Sequence, residues 1–344
     1  MDMVIKRKLP TPDELKEQFP LRDSQKLLKA RRDQTIKDIL SGKDKRMLLL
    51  IGPCSADRED AVLEYLSRLR RVQEKVENEI FIVPRVYSNK PRTIGVGYKG
   101  MLHQPDPNKR SNLLQGIITV REMNIRIINE TDFTCADELL YPENFQYMED
   151  VLSYVAIGAR SVENQQHRLL SSGLGIAVGM KNPTNGSFDV MLNAITAARS
   201  PQSFIYREWE VETQGNPWAH AILRGYQTRQ GLNVPNYHYE DLQLLISAYH
   251  KRGLEPAVAI IDCNHSNSGK HYLEQDRISK DVIHSRRTSQ DIRRFVRGLM
   301  IESYLEDGCQ SEHEQQYGKS ITDPCLGWEK TERLVYELAD QWDG

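Results

Sequence analysis

The chain has no run of about 20 apolar residues, so nothing in it reads as a bilayer-spanning helix. Its first residues, MDMVIKRKLPTPDELKEQF, lack the apolar core of a secretory signal. Cysteine is scarce: five in 344 residues, irregularly placed, do not make a disulfide framework and fit a reducing, cytoplasmic setting. An excess of either charge is missing too. Forty-six Lys and Arg against 48 Asp and Glu leave a net charge of −2, so there is no bulk pull toward nucleic acid or a membrane. Any basic site has to be a local cluster. Nucleotide signatures are absent as well: there is no GxxxxGK[ST], and Gly95-Val96-Gly97 lacks the rest of a dinucleotide fingerprint.

What is present is alternation. Residues 1–45 read as a polar, mostly helical N-terminal extension, punctuated by Pro10, Pro12 and Pro20, with helical spacing over 23–41. From 46 to 344, short apolar runs alternate with longer amphipathic stretches. The runs are Met47–Gly52, Ile80–Val86, Phe133–Asp137, Tyr154–Ala159, Gly175–Met180, Ala219–Leu223, Ala257–Asp262 and Gly298–Ile301. Segments 57–77, 112–129 and 189–198 between them have the spacing of helices. Such alternation predicts a parallel sheet covered on both faces. Eight units predict an α/β chain of the (β/α)₈ TIM-barrel type, better than a doubly wound sheet. Residues 203–215, SFIYREWEVETQG, are rich in β-formers and predict a hairpin inserted before strand six.

In such a barrel the chemistry belongs at the C-terminal ends of the strands and in the loops that follow. Those ends carry Cys54, Arg85, Lys90, Arg92, Glu138, Arg160, Lys181, Arg224, His265, Glu302 and Asp323, of which six are Arg or Lys. Six converging cations repel one another unless the pocket receives anions. Two phosphates and a carboxylate would supply roughly four to five negative charges. Arg suits their oxygens through its planar fork, and Lys supplies a point charge. Cys54, His265, Glu302 and Asp323 come from strands one, seven and eight and the loop after eight, which are contiguous around a closed barrel. A thiolate, an imidazole and two carboxylates suit a divalent transition metal (Mn²⁺, Fe²⁺, Co²⁺ or Zn²⁺) and disfavour Mg²⁺. The bland alternatives are a packed Cys54 thiol, a capped His265 imidazole and cations that serve as surface ion-pair partners.

The segments IGPCSA, PRVYSNKPRT, IGARSVENQQHR, VGMKNPTNG, ILRG, IDCNHSNSGK, MIESYLEDG and YGKSITDPCLGW resemble the signature segments of type I 3-deoxy-D-arabino-heptulosonate 7-phosphate (DAHP) synthase, in its longer bacterial and fungal subgroup. The resemblance runs from about Leu9 to Ala339. It implies a (β/α)₈ barrel with an N-terminal extension and an added hairpin. It also implies the condensation of phosphoenolpyruvate with erythrose 4-phosphate and water, releasing phosphate, at the first step of the shikimate pathway. By match to the family motifs, Cys54, His265, Glu302 and Asp323 are the metal ligands. Arg85, Lys90, Ala159, Arg160, Lys181, Arg224 and His265 surround phosphoenolpyruvate, with Glu138 near its phosphate. Arg92 and Thr93 match the residues holding the aldose phosphate, with Pro91 beside them, and Asp323 is a further substrate-binding position. Lys90, His265 and Glu138 are the candidate catalytic groups. The resemblance leaves open whether Glu138 or a water on the metal activates the attacking water.

It further implies a homodimer or homotetramer and an aromatic amino acid as effector. The chain departs from the inhibited members in two places, however: its terminus reads MDMVIKRK where they carry an acidic segment, and Gly175 stands where the phenylalanine- and tyrosine-inhibited ones tend to carry Ser. Cys325, two residues past Asp323, is expected to reach Cys54 and to pair with it on oxidation of metal-free protein. Two other readings compete. One is the shorter relative that makes 3-deoxy-octulosonate 8-phosphate from arabinose 5-phosphate, against which the N-terminal arm, KPRT and SITDPCLGW argue. The other is a non-catalytic sensor of aromatic amino acids, whose mark would be lost ligand positions; here every one is kept.

Overall fold

The computed structural model describes residues 2–92, 95–314 and 316–342. Its barrel strands are β1 (Met47–Gly52), β2 (Ile80–Pro84), β3 (Cys135–Glu138), β4 (Leu152–Ile157), β5 (Ala177–Lys181), β6 (Ala219–Leu223), β7 (Ala259–Asp262) and β8 (Val296–Glu302). They form one sheet in the order β2-β1-β8-β7-β6-β5-β4-β3, with every pairing parallel. The two ends of that order meet through a parallel bridge between Arg85 and Ala136, where Val86 N donates to Ala136 O at 2.9 Å. The sheet is thereby closed into a (β/α)₈ barrel, the arrangement that eight alternating units favoured over a doubly wound sheet.

The strands read as unbroken apolar runs because both of their faces are buried. In β1, Met47, Leu49 and Ile51 pack outward against the helices, while Leu48 and Leu50 fill the barrel interior with Phe81, Val83, Ala136, Tyr154 and Met300. The helix Glu59–Lys75 supplies the outer layer beside it, burying Val62, Leu66, Leu69 and Val72 at helical spacing.

The helix Asp23–Ser41 stops the mouth of the barrel below the strand N-termini. Its Ile36, Ile39 and Leu40 join the interior cluster. Arg32 follows them in, 4.4 Å above the Phe81 ring, and donates to Ile82 O at 2.6 Å and Thr134 Oγ1 at 3.1 Å. These contacts offset the cost of burying a guanidinium.

The inserted hairpin pairs Ser203–Tyr206 with Trp209–Glu212 in antiparallel register, and Arg207 and Glu208 turn it with positive φ. A second, smaller hairpin, Tyr226–Gln227 with Asn233–Val234, follows β6 and leaves no periodic trace, because its strands are two residues long. No helix among the described residues is long and apolar enough to cross a membrane.

One polar pair lies inside the barrel and has a measurable consequence. His220 on β6 donates from Nδ1 to Trp218 O at 2.8 Å, so its Nε2 accepts from the Tyr154 hydroxyl, also at 2.8 Å. The ring is neutral, and burial pushes it down to about 4 from an ordinary 6.5, with the Trp218 carbonyl opposing. Below pH 6.5 the unfolded chain takes up a proton that the folded chain refuses until about pH 4. The stability held above 6.5 is therefore lost as pH falls through that window. We predict a loss of about 2 kcal/mol between pH 7 and pH 5 from this group. In denaturant titrations the His220→Gln variant should show a shallower fall by that amount, and equal falls in the two proteins would refute it.

Candidate active site

The C-terminal ends of the strands open on a cavity of about 730 Å³. Each wall is set by one strand. β1 delivers Cys54 through the turn at Gly52, where a Cβ would lie 2.3 Å from Arg85 O, so a side chain there would collide with the neighbouring strand. β2 delivers Arg85 and, after a short loop, Lys90, Pro91 and Arg92. β3 ends in Glu138, which packs against Gly158 at the end of β4, and a Cβ on that glycine would stand 2.1 Å from the Glu138 carboxylate. Ala159, Arg160, Lys181, Arg224, His265 and Asp323 complete the lining from the remaining strand ends. Thr93 lies outside the described residues.

Glu302, the last residue of β8, sits fully buried beneath this cavity. Its Oε1 is 2.9 Å from Arg85 Nη2 and 3.9 Å from His265 Nε2, and Asn264 Nδ2 donates to Oε2. Oε1 nonetheless accepts no well-directed hydrogen bond from the described residues. Ligand atoms of Cys54, Glu302 and Asp323 all lie within 4.8 Å of one another. His265 borders this trio without joining it: its Nε2 faces Glu302, and its Nδ1 is 2.8 Å from Asp262 Oδ2. A buried carboxylate oxygen lacking a hydrogen bond, set beside a thiol and a second carboxylate, fits a divalent cation with mixed soft and hard preferences. The donor set is compatible with such an ion.

Charges in the site are held by one another. Burial alone would raise the Glu302 carboxyl, yet Arg85 and His265 hold it below the ordinary carboxylate range. Asp323 is likewise lowered: burial works against ionisation, and His265, Lys270 and Lys90 outweigh it. Burial pushes the Cys54 thiol up, Glu302 adds to this, and Lys90, whose Nζ is 2.9 Å from Cys54 Sγ, opposes it. Arg224 is lowered by burial first, with Asp262 opposing and Arg160 adding to the effect.

Several contributors escaped the sequence reading. Asp262 bridges Lys181 Nζ at 3.2 Å and His265 Nδ1 at 2.8 Å, and Lys270 Nζ lies 2.9 Å from Asp323 Oδ1. Tyr87 lies under the Arg85 guanidinium, 4.0 Å from it. The first two stand within DCNHSNSGK, a run already singled out for His265, and a polar residue three positions before that histidine was the available signal. Cys325 does come beside Cys54: its Sγ accepts from Cys54 N at 3.4 Å, and both thiols are free and buried.

A closed parallel barrel with a cation-lined mouth above a thiol and two carboxylates defines a barrel enzyme built to receive small polyanions. The chain belongs to the DAHP synthetase I family, which matches residues 18–336. Among named relatives, the Tyr-sensitive phospho-2-dehydro-3-deoxyheptonate aldolase of Salmonella typhimurium is 37% identical over 98% of this chain and 94% of its own length. The Haemophilus influenzae phospho-2-dehydro-3-deoxyheptonate aldolase is 38% identical, covering 96% of this chain and 90% of its own. The Trp-sensitive enzyme of Escherichia coli K12 is 36% identical over 97% and 95%. A solved structure of the Francisella tularensis phospho-2-dehydro-3-deoxyheptonate aldolase superposes with a TM-score of 0.92 at 32% identity, covering 99% of this chain and 98% of that one. The family suggested by the motifs is the family found.

Proposed function

We propose that this chain is a 3-deoxy-7-phosphoheptulonate synthase, which joins phosphoenolpyruvate to erythrose 4-phosphate with water and yields DAHP and phosphate. The observation that carries this reading is the adjacency of the cation-lined cavity and the Cys54–Glu302–Asp323 cluster. In this reading Arg85, Ala159, Arg160, Lys181, Arg224 and His265 hold phosphoenolpyruvate, Arg92 and Thr93 hold the aldose phosphate with Pro91 beside them, and Asp323 is a further substrate contact. Both substrates are thereby kept in near-attack geometry. Cys54, His265, Glu302 and Asp323 would hold a divalent transition metal, Mn²⁺, Fe²⁺, Co²⁺ or Zn²⁺. When bound, that ion supplies Lewis-acid polarisation of the aldehyde.

C3 of phosphoenolpyruvate attacks the aldehyde carbon, and Lys90 protonates the developing alkoxide. Water adds at C2, with Glu138 a candidate to take its proton, and C–O cleavage of the phosphohemiketal then releases phosphate, the C2 hydroxyl proton leaving with it as the carbonyl forms. Residues 1–45 are an extension of a catalytic barrel spanning 46–344. The setting is the cytoplasm and the working form is a homodimer or homotetramer. The relatives named Tyr-sensitive and Trp-sensitive favour an aromatic amino acid as effector.

Phosphoenolpyruvate consumption tests the reading. It should require erythrose 4-phosphate, stop with a chelator, resume on adding a divalent metal, and run at least about tenfold slower with arabinose 5-phosphate. Equal rates with the five-carbon sugar, or none with the four-carbon one, would discard it. Repeating the assay with each aromatic amino acid tests the effector.

A further inference from the structure

Asp137 belongs to no part of the mechanism above, yet it is a carboxylate only 6% exposed, at the C-terminal end of β3. Its Oδ1 accepts from Ser88 N at 2.9 Å and from Glu138 N at 2.7 Å, and its Oδ2 accepts from Ser88 Oγ. One side chain thus ties the β3 terminus to the loop that leaves β2. That loop is also gripped from outside. Leu102 N donates to Ser88 O at 3.0 Å, Lys90 N donates to Lys99 O at 3.1 Å, and a Cβ on Gly100 would lie 2.4 Å from Ser88 O. Two residues past Ser88 stands Lys90, aimed at Cys54, and next to Asp137 stands Glu138.

We infer that Asp137 is a positioning residue: through Ser88 it sets where Lys90, Pro91 and Arg92 stand, and through the Glu138 amide it sets that carboxylate, so that one buried anchor aligns the two substrate halves. This rests on the synthase reading given above. Burial of the anchor is costly, since it pushes the carboxyl up to about 7 despite the Ser88 and Glu138 hydrogen bonds, with the Glu138 charge adding to the rise. A buried charge of this kind contributes little net stability compared with an apolar replacement, whereas its fixed acceptors define geometry. A displacement of about 1 Å at a substrate contact costs up to about 10²-fold.

Asp137→Ala removes every acceptor, Ser88→Ala removes only the hydroxyl, and Asp137→Asn keeps an oxygen for both amides. Steady-state kinetics with saturating metal should give a KM for erythrose 4-phosphate about tenfold higher in Asp137→Ala and about threefold higher in Ser88→Ala, with Asp137→Asn within about twofold of the parent. A structural role alone would reduce the amount of active enzyme and leave KM unmoved. Amide exchange over residues 86–92 of the intact protein reads the anchor without turnover and should accelerate in the same order. Unchanged KM values and unchanged exchange in Asp137→Ala overturn the inference, and if that variant does not fold, the same results in Ser88→Ala do so. A wild-type chain that ignores erythrose 4-phosphate sinks the synthase reading instead, and exchange over 86–92 then decides the anchor by itself.

Discussion

Cys54→Ala should leave the protein folded, empty of tightly held transition metal, and slower by about 10³-fold, or about 4 kcal/mol of transition-state stabilisation. The sulfur stands at the end of β1 in IGPCS, within 4.8 Å of carboxylate oxygens of Glu302 and Asp323. It is the soft donor of the set, and a site without it retains an imidazole and two carboxylates, a weaker ligand group for the same ions. Cys325 is the nearest sulfur that could substitute, since its Sγ touches the Cys54 amide. The Cys54→Ala, Cys325→Ala pair should therefore bind no more metal than the single variant. Metal content after dialysis and turnover at fixed metal read the two consequences separately. A dialysed Cys54→Ala protein with wild-type metal content and rate would remove Cys54 from the ligand set.

Arg85→Met should damage stability and activity together. The guanidinium is 1% exposed and 2.9 Å from a carboxylate that is itself fully buried. Taking it away strands Glu302 beneath the cavity, at a cost of about 3–5 kcal/mol. The same cation lines the cavity, and with the role proposed for it in holding phosphoenolpyruvate, KM for that substrate should rise by about 10²-fold. Glu302 itself then offers a control. Arg85→Met combined with Glu302→Leu removes both charges and should recover most of the lost stability without recovering turnover. Chemical denaturation with chelator present keeps metal binding from masking the difference. A single variant as stable as the parent would show that the pair is not held as described.

The fold was legible because each barrel strand is buried on both faces and its apolar run is continuous. Met47–Gly52 and Ala219–Leu223 coincide with their apolar runs to the residue. Elsewhere the ends shifted, for a physical reason. Apolarity marks where a strand is packed, whereas hydrogen bonding decides where it stops. Phe133 is buried but precedes β3, which starts at Cys135, and Gly158 and Ala159 are already past β4. Lys181 and Glu302 are the reverse case: polar residues just past the apolar runs that remain inside the ladder, paired with Ile222 and Gly52. Within the site, one residue per strand end could be named from position and charge. Lys270 and Asp137 could not, because what selects them is their distance to a partner on another segment, and Asp262 was marked only by standing three positions before His265. His265 was read as one of four equal ligands, and it stands beside the tight trio rather than within it.

The stopper formed by Arg32, Ile36, Ile39 and Leu40 has a consequence for traffic. Among the described residues the far end is closed by packed side chains and the cavity opens at the strand C-termini, so a ligand that reaches its floor enters from that rim.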